Sequence, residues 1–209
     1  MKHYHDIEKW PRKEHFHFFR AFEEPFFGIT VPVECQLAYR NALDYGVSFF
    51  AYYLHCSLKA INAIECFRYR IEGDQVVVYD TIHASATIGR ADGTFGFSFI
   101  PYTNDMLSFC EALQAESERI RKGSGLETGI AGDDVVHYSS VPWLSFTSLS
   151  HARQFKRPDS VPKITFGKVH EEHGKRTMPV SLHAHHALLD GIHTGEYFAL
   201  FQLLLNNPE

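Results

Sequence analysis

The 209-residue sequence has few cysteines and no long apolar run. The four cysteines, at positions 35, 56, 66 and 110, form no CxxC pair, so we interpret them as small apolar residues of a reduced, cytoplasmic protein. The amino-terminal stretch is polar and charged throughout, which argues against a signal peptide. The longest mostly apolar segment, residues 47–64, contains serine, histidine, lysine and asparagine and is too polar to span a bilayer.

The chain also lacks an excess of positive charge. Its formal net charge is -5 with neutral histidine, and the Lys and Arg residues are scattered along the sequence. The densest basic runs, residues 9–13, 119–122 and 153–157, carry three positive charges each and lack the footprint of a nucleic-acid binder. We interpret the 153–157 run as a solvated loop, with contact to a phosphate as the alternative. A glycine-rich phosphate-binding motif is absent from the sequence, and residues 123–134 are expected to form a flexible polar loop.

Aromatic side chains, in contrast, are abundant, with 18 Phe and 10 Tyr. Such side chains fill cores, line apolar pockets or anchor subunit interfaces, and composition leaves that choice open. Apolar residues make up 44% and charged residues 22% of the chain, which is an ordinary globular balance. Since the sequence has no internal repeat or long linker, we expect one domain over residues 1–209.

Hydrophobic periodicity and turn residues predict strands and helices interspersed along the chain. Strict alternation of strand and helix is missing, so the sequence predicts an α+β fold with a mixed β-sheet packed with helices rather than a doubly wound sheet. Thr194 is the predicted N-cap of the last helix. The predicted helices are residues 36–44, 48–63, 105–122 and 194–205, and the predicted strands are residues 26–34, 67–71, 76–79, 84–88, 95–100, 135–138, 144–147, 164–170 and 177–184.

The densest chemical signal is the segment HAHHALLDG, residues 183–191. It continues a predicted strand, and Gly191 permits a sharp turn after it. A histidine at a strand end, just before a turn, can present its imidazole to a cleft. An unperturbed imidazole pKa near 6.5 suits proton abstraction around neutrality, so His186 is a candidate general base.

The other histidines of this segment have two further interpretations. His183 and His185 would share one strand face and could supply two metal ligands, whereas His186 would point to the other face. No carboxylate or cysteine lies at convincing ligand spacing in the sequence nearby. The alternative that the pattern favours is that both are satisfied core or surface histidines.

Three segments carry a family resemblance. HHALLDG, residues 185–191, resembles the HHxxxDG signature of chloramphenicol acetyltransferases and other coenzyme A-dependent acyltransferases, which also occurs in condensation domains and dihydrolipoyl acyltransferases. WPRKEHF, residues 10–16, is similar to the W-x-R-K/R-E-H-F segment of chloramphenicol acetyltransferases, and PWLSFTS, residues 142–148, to their PW-V/L-x-F-x-S segment. Because the three follow the family order and approximate spacing, the resemblance covers nearly the whole chain.

The resemblance implies a chloramphenicol acetyltransferase-like two-layer sandwich. It also implies direct acetyl transfer from acetyl-CoA to a hydroxyl of chloramphenicol or a similar small molecule, without an acyl-enzyme. His186 matches the family's general base, and Ser148 matches the hydroxyl that stabilises the tetrahedral oxyanion. Asp190 matches a structural residue that pairs with an arginine near the amino terminus, here Arg12.

For the co-substrate and the acceptor, the resemblance gives fewer residues. Lys168 matches a lysine near the coenzyme A nucleotide, whereas Val169 stands where the family often has an aromatic residue that can stack on adenine. Phe19 and Phe95 fall near positions that line the acceptor pocket, and either could equally belong to the core. Acetyl-CoA is expected as a co-substrate, with no permanently bound cofactor, no metal and no nucleic-acid or membrane partner. The family also implies a homotrimer with clefts between subunits.

Several alternatives stay open at the level of sequence. Without the resemblance, Ser148 reads as a turn residue and Arg12 as an exposed charge, and Trp143 is expected to pack in the core. The acyl acceptor or the acyl group could differ from those of the family. A non-catalytic small-molecule binder and a metalloprotein built on the histidine cluster are the hypotheses from other classes.

Overall fold

The computed structural model describes residues 1–127, 132–153 and 159–207. Within these residues lie five α-helices, ten strands and two short 3-10 helices, at Ile7–Lys9 and Glu65–Arg68. The helices are α1 (Lys13–Phe19), α2 (Gln36–Asp44), α3 (Phe49–Ala63), α4 (Met106–Lys122) and α5 (Gly191–Asn206). The strands are β1 (Lys2–Tyr4), β2 (Phe26–Glu34), β3 (Tyr69–Glu72), β4 (Gln75–Tyr79), β5 (His83–Gly89), β6 (Phe95–Phe97), β7 (Val135–Ser140), β8 (Lys163–Phe166), β9 (His170–Glu172) and β10 (Lys175–His185).

The large sheet runs in the order β2-β10-β8-β7-β5-β6, and the short β9 pairs with β10. Strand β10 is antiparallel to both β2 and β8, whereas β7 is parallel to β5 and β8, so the sheet is mixed. A separate three-stranded sheet has the order β1-β4-β3. This arrangement confirms the expected α+β fold with a mixed sheet.

The two faces of the large sheet differ in chemistry, and β10 shows this most clearly. Its even positions, from Met178 to Ala184, are buried in one hydrophobic cluster with residues of α2, α3 and α5. We call this side the helix face. The odd positions include Ser181 and His183, which pair across the sheet with Thr165 and Lys163 of β8. We call this side the polar face.

Side-chain caps fix the starts of three helices. Ser48 Oγ accepts from the Ala51 amide at the start of α3, and the Asp105 carboxylate accepts from the Ser108 amide at the start of α4. Asp190 caps α5 in the same way, so the predicted N-cap, Thr194, is wrong. The helix starts earlier because the Asp190 carboxylate and the His193 side chain form a reciprocal capping box.

Several predictions about the second half of the chain are also wrong. Residues 144–147 belong to no strand of the described chain, because the two backbone hydrogen bonds of Leu144, one within a turn and one to the Lys168 amide, do not form a ladder. The side chain of Trp143 is 75% exposed and is not core packing. Gly191 begins α5 without a left-handed backbone angle, so a sharp turn does not explain it. Of the 123–134 loop, residues 128–131 lie outside the described residues.

Candidate active site

His186 follows the last residue of β10, and two hydrogen bonds to backbone carbonyls hold it. Its amide donates to the Pro25 carbonyl at 2.8 Å, which continues the pairing of β10 with β2. Its ring Nδ1 lies 3.1 Å from the Leu189 carbonyl oxygen. Because a carbonyl only accepts, Nδ1 carries the proton and donates it, which leaves Nε2 as the basic nitrogen. The contact with Leu189 therefore selects the tautomer that a general base requires.

Aromatic rings hold the plane of the His186 imidazole. Phe19, at the end of α1, stacks on it with ring centroids 3.8 Å apart and an interplanar angle of 11°. Phe27 of β2 packs at 4.7 Å in a tilted geometry. Phe18 and Phe22 extend this cluster outward and are largely exposed. His186 thus lies on an aromatic platform next to the helix face.

An ion pair supports the turn that carries His186. The Arg12 guanidinium donates to the Asp190 carboxylate through NH1 and to the His186 carbonyl, at 3.3 Å, through NH2. The two side chains are 16% and 29% exposed. Burial alone would raise the pKa of Asp190, but the hydrogen bond and charge of Arg12 hold it below its ordinary value. Arg12, the residue just before α1, therefore contacts both ends of the turn, at His186 and at Asp190.

The two neighbouring histidines have their hydrogen bonds satisfied by other parts of the chain. His183 Nε2 donates to the Leu149 carbonyl at 3.1 Å, and its ring fills the space left by Gly28, where a Cβ would lie 2.3 Å from Nε2. His185 is buried, and its Nδ1 accepts from the Ala187 amide at 3.2 Å. These contacts agree with the structural interpretation of both residues.

The segment of residues 141–153, which carries Ser148, crosses the polar face of the sheet. Phe146 lies against Gly167, Leu149 accepts from His183, and His151 packs edge-on against His183 at 4.8 Å. Ser148 itself is exposed. Its neighbour Leu149 is bonded to His183, which places Ser148 in the part of the segment that covers the polar face.

His186 and Ser148 consequently lie on opposite sides of the sheet within one chain. Phe27, which contacts the His186 ring, pairs with Ala184 and belongs to the helix-face positions. Leu149, next to Ser148, is bonded to His183 on the polar face. One chain thus holds the candidate base and the candidate oxyanion donor, but it does not bring them together.

The predicted acceptor residues are separated in the same way. Phe19 lies against His186, at the β2–β10 end of the sheet. Phe95 is 44% exposed on β6, at the other edge, where it packs against Phe97. Four strand spacings separate β10 from β6, which corresponds to about 19 Å. Within one chain, Phe19 and Phe95 therefore lie at different edges of the sheet.

Lys168 lies beside the segment that carries Ser148. Its amide donates to the Leu144 carbonyl at 2.8 Å, and its side chain is exposed just after β8. Val169 packs against the core instead of presenting a flat surface to solvent. The backbone of Lys168 thus contacts the segment that carries Ser148, and position 169 offers no aromatic contact to a ligand there.

The polar face also contains a cavity of about 230 Å³ that the sequence did not predict. Arg153 lines it with its side chain only 12% exposed, so the interpretation of residues 153–157 as a solvated loop is wrong for this residue. Residues 154–158 lie outside the described residues. The lining residues are Glu24, Phe26, Gly28, Ser150, His151, Arg153, Lys163 and His183.

Histidines on and around this face are held neutral. Burial, reinforced by nearby Lys163 and other positive or histidine neighbours, lowers the pKa of His137 and of His151 to about 4. Burial and the charge of Arg153 lower the pKa of His185 to about 4 as well. The shared direction shows that this region disfavours additional positive charge.

Some contributors to the site were not recognisable in the sequence. The Leu189 and Pro25 carbonyls that orient His186 are backbone atoms, so residue type carries no signal for them. Phe27 was assigned to a strand but not to the site. Within the described ranges, no three His, Cys, Asp or Glu side chains are grouped so that they could hold a metal ion. Among the same residues, no helix has the length and apolar character needed to cross a membrane.

Comparisons with known proteins agree on one family. Residues 2–202 match the family model described as chloramphenicol acetyltransferase. Chloramphenicol acetyltransferase 3 of Escherichia coli is 25% identical over 97% of this chain and 96% of its own length. A chloramphenicol acetyltransferase of Staphylococcus aureus is 29% identical over 97% of this chain and 95% of its own. A solved structure of a chloramphenicol acetyltransferase has a TM-score of 0.91 and 33% identity, and the match covers 98% of this chain and all of that one.

Proposed function

Because the chain belongs to the chloramphenicol acetyltransferase family, we propose that it transfers an acetyl group from acetyl-CoA to a hydroxyl of chloramphenicol or a similar small molecule. Family membership makes the chain an acyltransferase enzyme. Acetyl-CoA enters as a co-substrate, and no permanently bound cofactor is required. If chloramphenicol is the acceptor, expression should confer resistance to it. A cytoplasmic location is part of the proposal and is supported by the four free cysteines.

The observation that supports this function best is the orientation of His186. With Nδ1 committed to Leu189, Nε2 takes the proton of the acceptor hydroxyl while the hydroxyl oxygen attacks the thioester carbonyl. The tetrahedral oxyanion is stabilised by the Ser148 hydroxyl. Collapse expels the coenzyme A thiolate, which takes the proton back from the His186 imidazolium. No acyl-enzyme forms, and every proton and bond is accounted for.

The remaining site residues support this reaction from both sides of the sheet. Arg12 and Asp190 hold the turn that bears the base, and the Phe19 ring holds its plane. Lys168 binds the coenzyme A nucleotide beside the segment that carries Ser148. Phe95, at the far edge of the sheet, contributes to an acceptor pocket from a different chain than the His186 that serves it.

Assembly follows from the separation of the two halves of the site. His186 and Phe19 stack on each other next to the helix face, whereas Ser148 lies on the polar face. A head-to-tail arrangement of identical chains brings the base of one copy to the oxyanion donor of the next, and rotation closes such an arrangement into a ring. We propose the homotrimer that the family resemblance implies, with one site in each interface. The exposed Trp143 is available to such an interface.

The second candidate is an acyltransferase of the same fold with a different acceptor or acyl group, and the charged cavity on the polar face favours it. A non-catalytic binder has no need for an imidazole locked in the basic tautomer. A thiol-release assay with acetyl-CoA and a panel of hydroxylated acceptors, including chloramphenicol, separates these possibilities. The proposal expects acceptor-dependent thiol release, and a folded protein that releases none with any acceptor would contradict it.

A further inference from the structure

The cavity on the polar face is built around two buried cations. The side chains of Arg153 and Lys163 are only 12% and 11% exposed. Both charges lie over the ring of Phe26, at 3.5 Å and 4.7 Å from its centroid. Burying two like charges this close together is costly unless anions compensate them. The compensation that the chain supplies is therefore informative.

The chain compensates these cations unevenly. Asp159 lies 2.6 Å from the Lys163 ammonium and 3.9 Å from the Arg153 guanidinium, so it is shared between them. The other carboxylate, Glu24, holds Arg153 at 2.7 Å but is 47% exposed at the rim of the cavity. Burial lowers the pKa of Lys163 despite Asp159, which is consistent with incomplete compensation. Glu24 is the partner that an incoming anion could replace.

We propose that this cavity binds a carboxylate group of the acyl acceptor. This carboxylate displaces Glu24 from Arg153. The preferred acceptor class is thus a hydroxylated carboxylic acid. This inference rests on the second candidate of the proposed function, an acyltransferase of the same fold with a different acceptor, because it names that acceptor. Arginine recognises a carboxylate through two parallel hydrogen bonds, and Lys163 adds a second charge.

The size and position of the cavity suit one end of such a molecule. Its volume of about 230 Å³ is below the roughly 300 Å³ at which pockets for whole drug-sized ligands begin. Ser150 lines it, two residues from Ser148 along a segment that spans at most about 7 Å. The carboxylate would lie in the cavity while the hydroxyl extends toward Ser148 and the base of the neighbouring copy.

The test compares acids with neutral molecules of the same shape. Hydroxymethylbenzoate and hydroxyethylbenzoate are each measured against their primary amides, by binding to the intact assembly and by thiol release with acetyl-CoA. We expect the wild type to bind the acids at least about tenfold more tightly than the amides. Equal affinity for acid and amide would overturn the proposal.

Two substitutions should change the affinity for the acids in opposite directions. Glu24→Gln removes the competing carboxylate and should lower the Kd and KM for the acids several-fold, with little change for the amides. Arg153→Met should raise the Kd and the KM for the acids about tenfold or more. Glu23→Gln, at the exposed neighbouring position, is the matched control and should change neither. A Kd and a KM for the acids that do not change in Glu24→Gln or Arg153→Met would overturn the proposal.

The remaining outcomes separate this inference from the proposed function. If the two substitutions change the KM for acetyl-CoA instead of the acid, the anion in the cavity is a coenzyme A phosphate and the inference is wrong. If the acids bind with the expected Arg153 dependence but no acceptor releases thiol, the anion site stands and the proposed function fails. If thiol release is robust but indifferent to acceptor charge, the function stands and the inference fails.

Discussion

Two regions of the same sheet offer opposite environments to two histidines, His186 just after β10 and His183 within it. Around His186, the surroundings are aromatic, and its neighbouring charges are the paired Arg12 and Asp190. Around His183, the polar face holds two buried cations and their carboxylates. The first region orients a proton acceptor and leaves its Nε2 available for chemistry. The second disfavours protonated imidazole and provides charge for binding.

The comparison shows how strand alternation can separate catalytic and binding roles. Adjacent positions of a strand face opposite sides, so His185 and His186 receive different partners although they are neighbours in sequence. His185 is buried and satisfied by the Ala187 amide. His186 is partly exposed and oriented by a carbonyl. If the site uses both faces, as we propose, a second copy of the chain completes it.

The largest effect should come from the base on the aromatic platform. His186→Ala should lower kcat about 10²- to 10⁴-fold, because general-base catalysis is lost while the fold is retained. Steady-state thiol release and circular dichroism would measure both. The neighbouring His185→Ala is the control: it should cost thermal stability through the lost Ala187 contact, with a much milder effect on turnover. Near wild-type kcat in a folded His186→Ala protein would show that the base assignment is wrong.

On the opposite face, Ser148→Ala should lower kcat about 10²- to 10³-fold through loss of the oxyanion donor. Thermal stability should not change, because the side chain is exposed. The nearby Ser145→Ala, also exposed in the same segment, is a matched control that should keep most of the activity. Equal losses in the two variants would remove the specific role of Ser148.

The ion pair that supports the base should affect stability and activity together. Arg12→Ala should reduce the free energy of unfolding by about 1 to 3 kcal/mol, since it leaves Asp190 half-buried without its partner. Asp190→Asn keeps an oxygen that can cap α5, so it should be milder than Asp190→Ala by about 1 kcal/mol. Chemical denaturation and kcat measure the two effects. Full stability and activity in Arg12→Ala would show that the pair does not support the turn.

The polar face should make the fold sensitive to mild acid. His137 and His185 have a folded pKa of about 4, below their unfolded value near 6.5. The unfolded chain therefore binds more protons between these values, so the stability is present above pH 6.5 and is lost as the pH falls toward 4. The loss from pH 7 to 5 should reach about 1 to 2 kcal/mol for each histidine.

Unfolding by urea at several pH values would measure this dependence. His185→Gln should flatten the profile between pH 7 and 5. His173→Gln, in the exposed β9–β10 turn, should leave the slope as it is in the wild type. A wild-type stability that stays constant over this range would contradict the account of the polar face.

Much of the fold could be predicted because local signals and tertiary packing agree. Residues 26–34 and 36–44 are strand and helix as predicted, since β-branched alternation and helical spacing match their burial. The strand prediction for residues 144–147 is wrong because an apolar run also suits a segment that lies across a sheet. Helix α1 was missed because its seven residues give too short a periodic signal.

The candidate site was predicted less completely than the fold. The segment at 185–191 identified His186 and Asp190 because their spacing is part of a recognisable motif. The separation of Ser148 from His186 depends on which face each segment covers, and that is set by strand register rather than by residue type. The cavity around Arg153 combines β2, β8, β10 and the segment at 141–153, and no local pattern joins them.

The most direct test of the account is reassembly of two inactive chains, His186→Ala and Ser148→Ala, after denaturation as an equal mixture. If each site combines the base of one chain with the oxyanion donor of the next, random mixing gives both functional halves in about one quarter of the interfaces. We expect about one quarter of the wild-type thiol release from the mixture and almost none from either chain refolded alone. Mixed assemblies that regain no activity, or a monomeric mass by light scattering, would contradict the shared site.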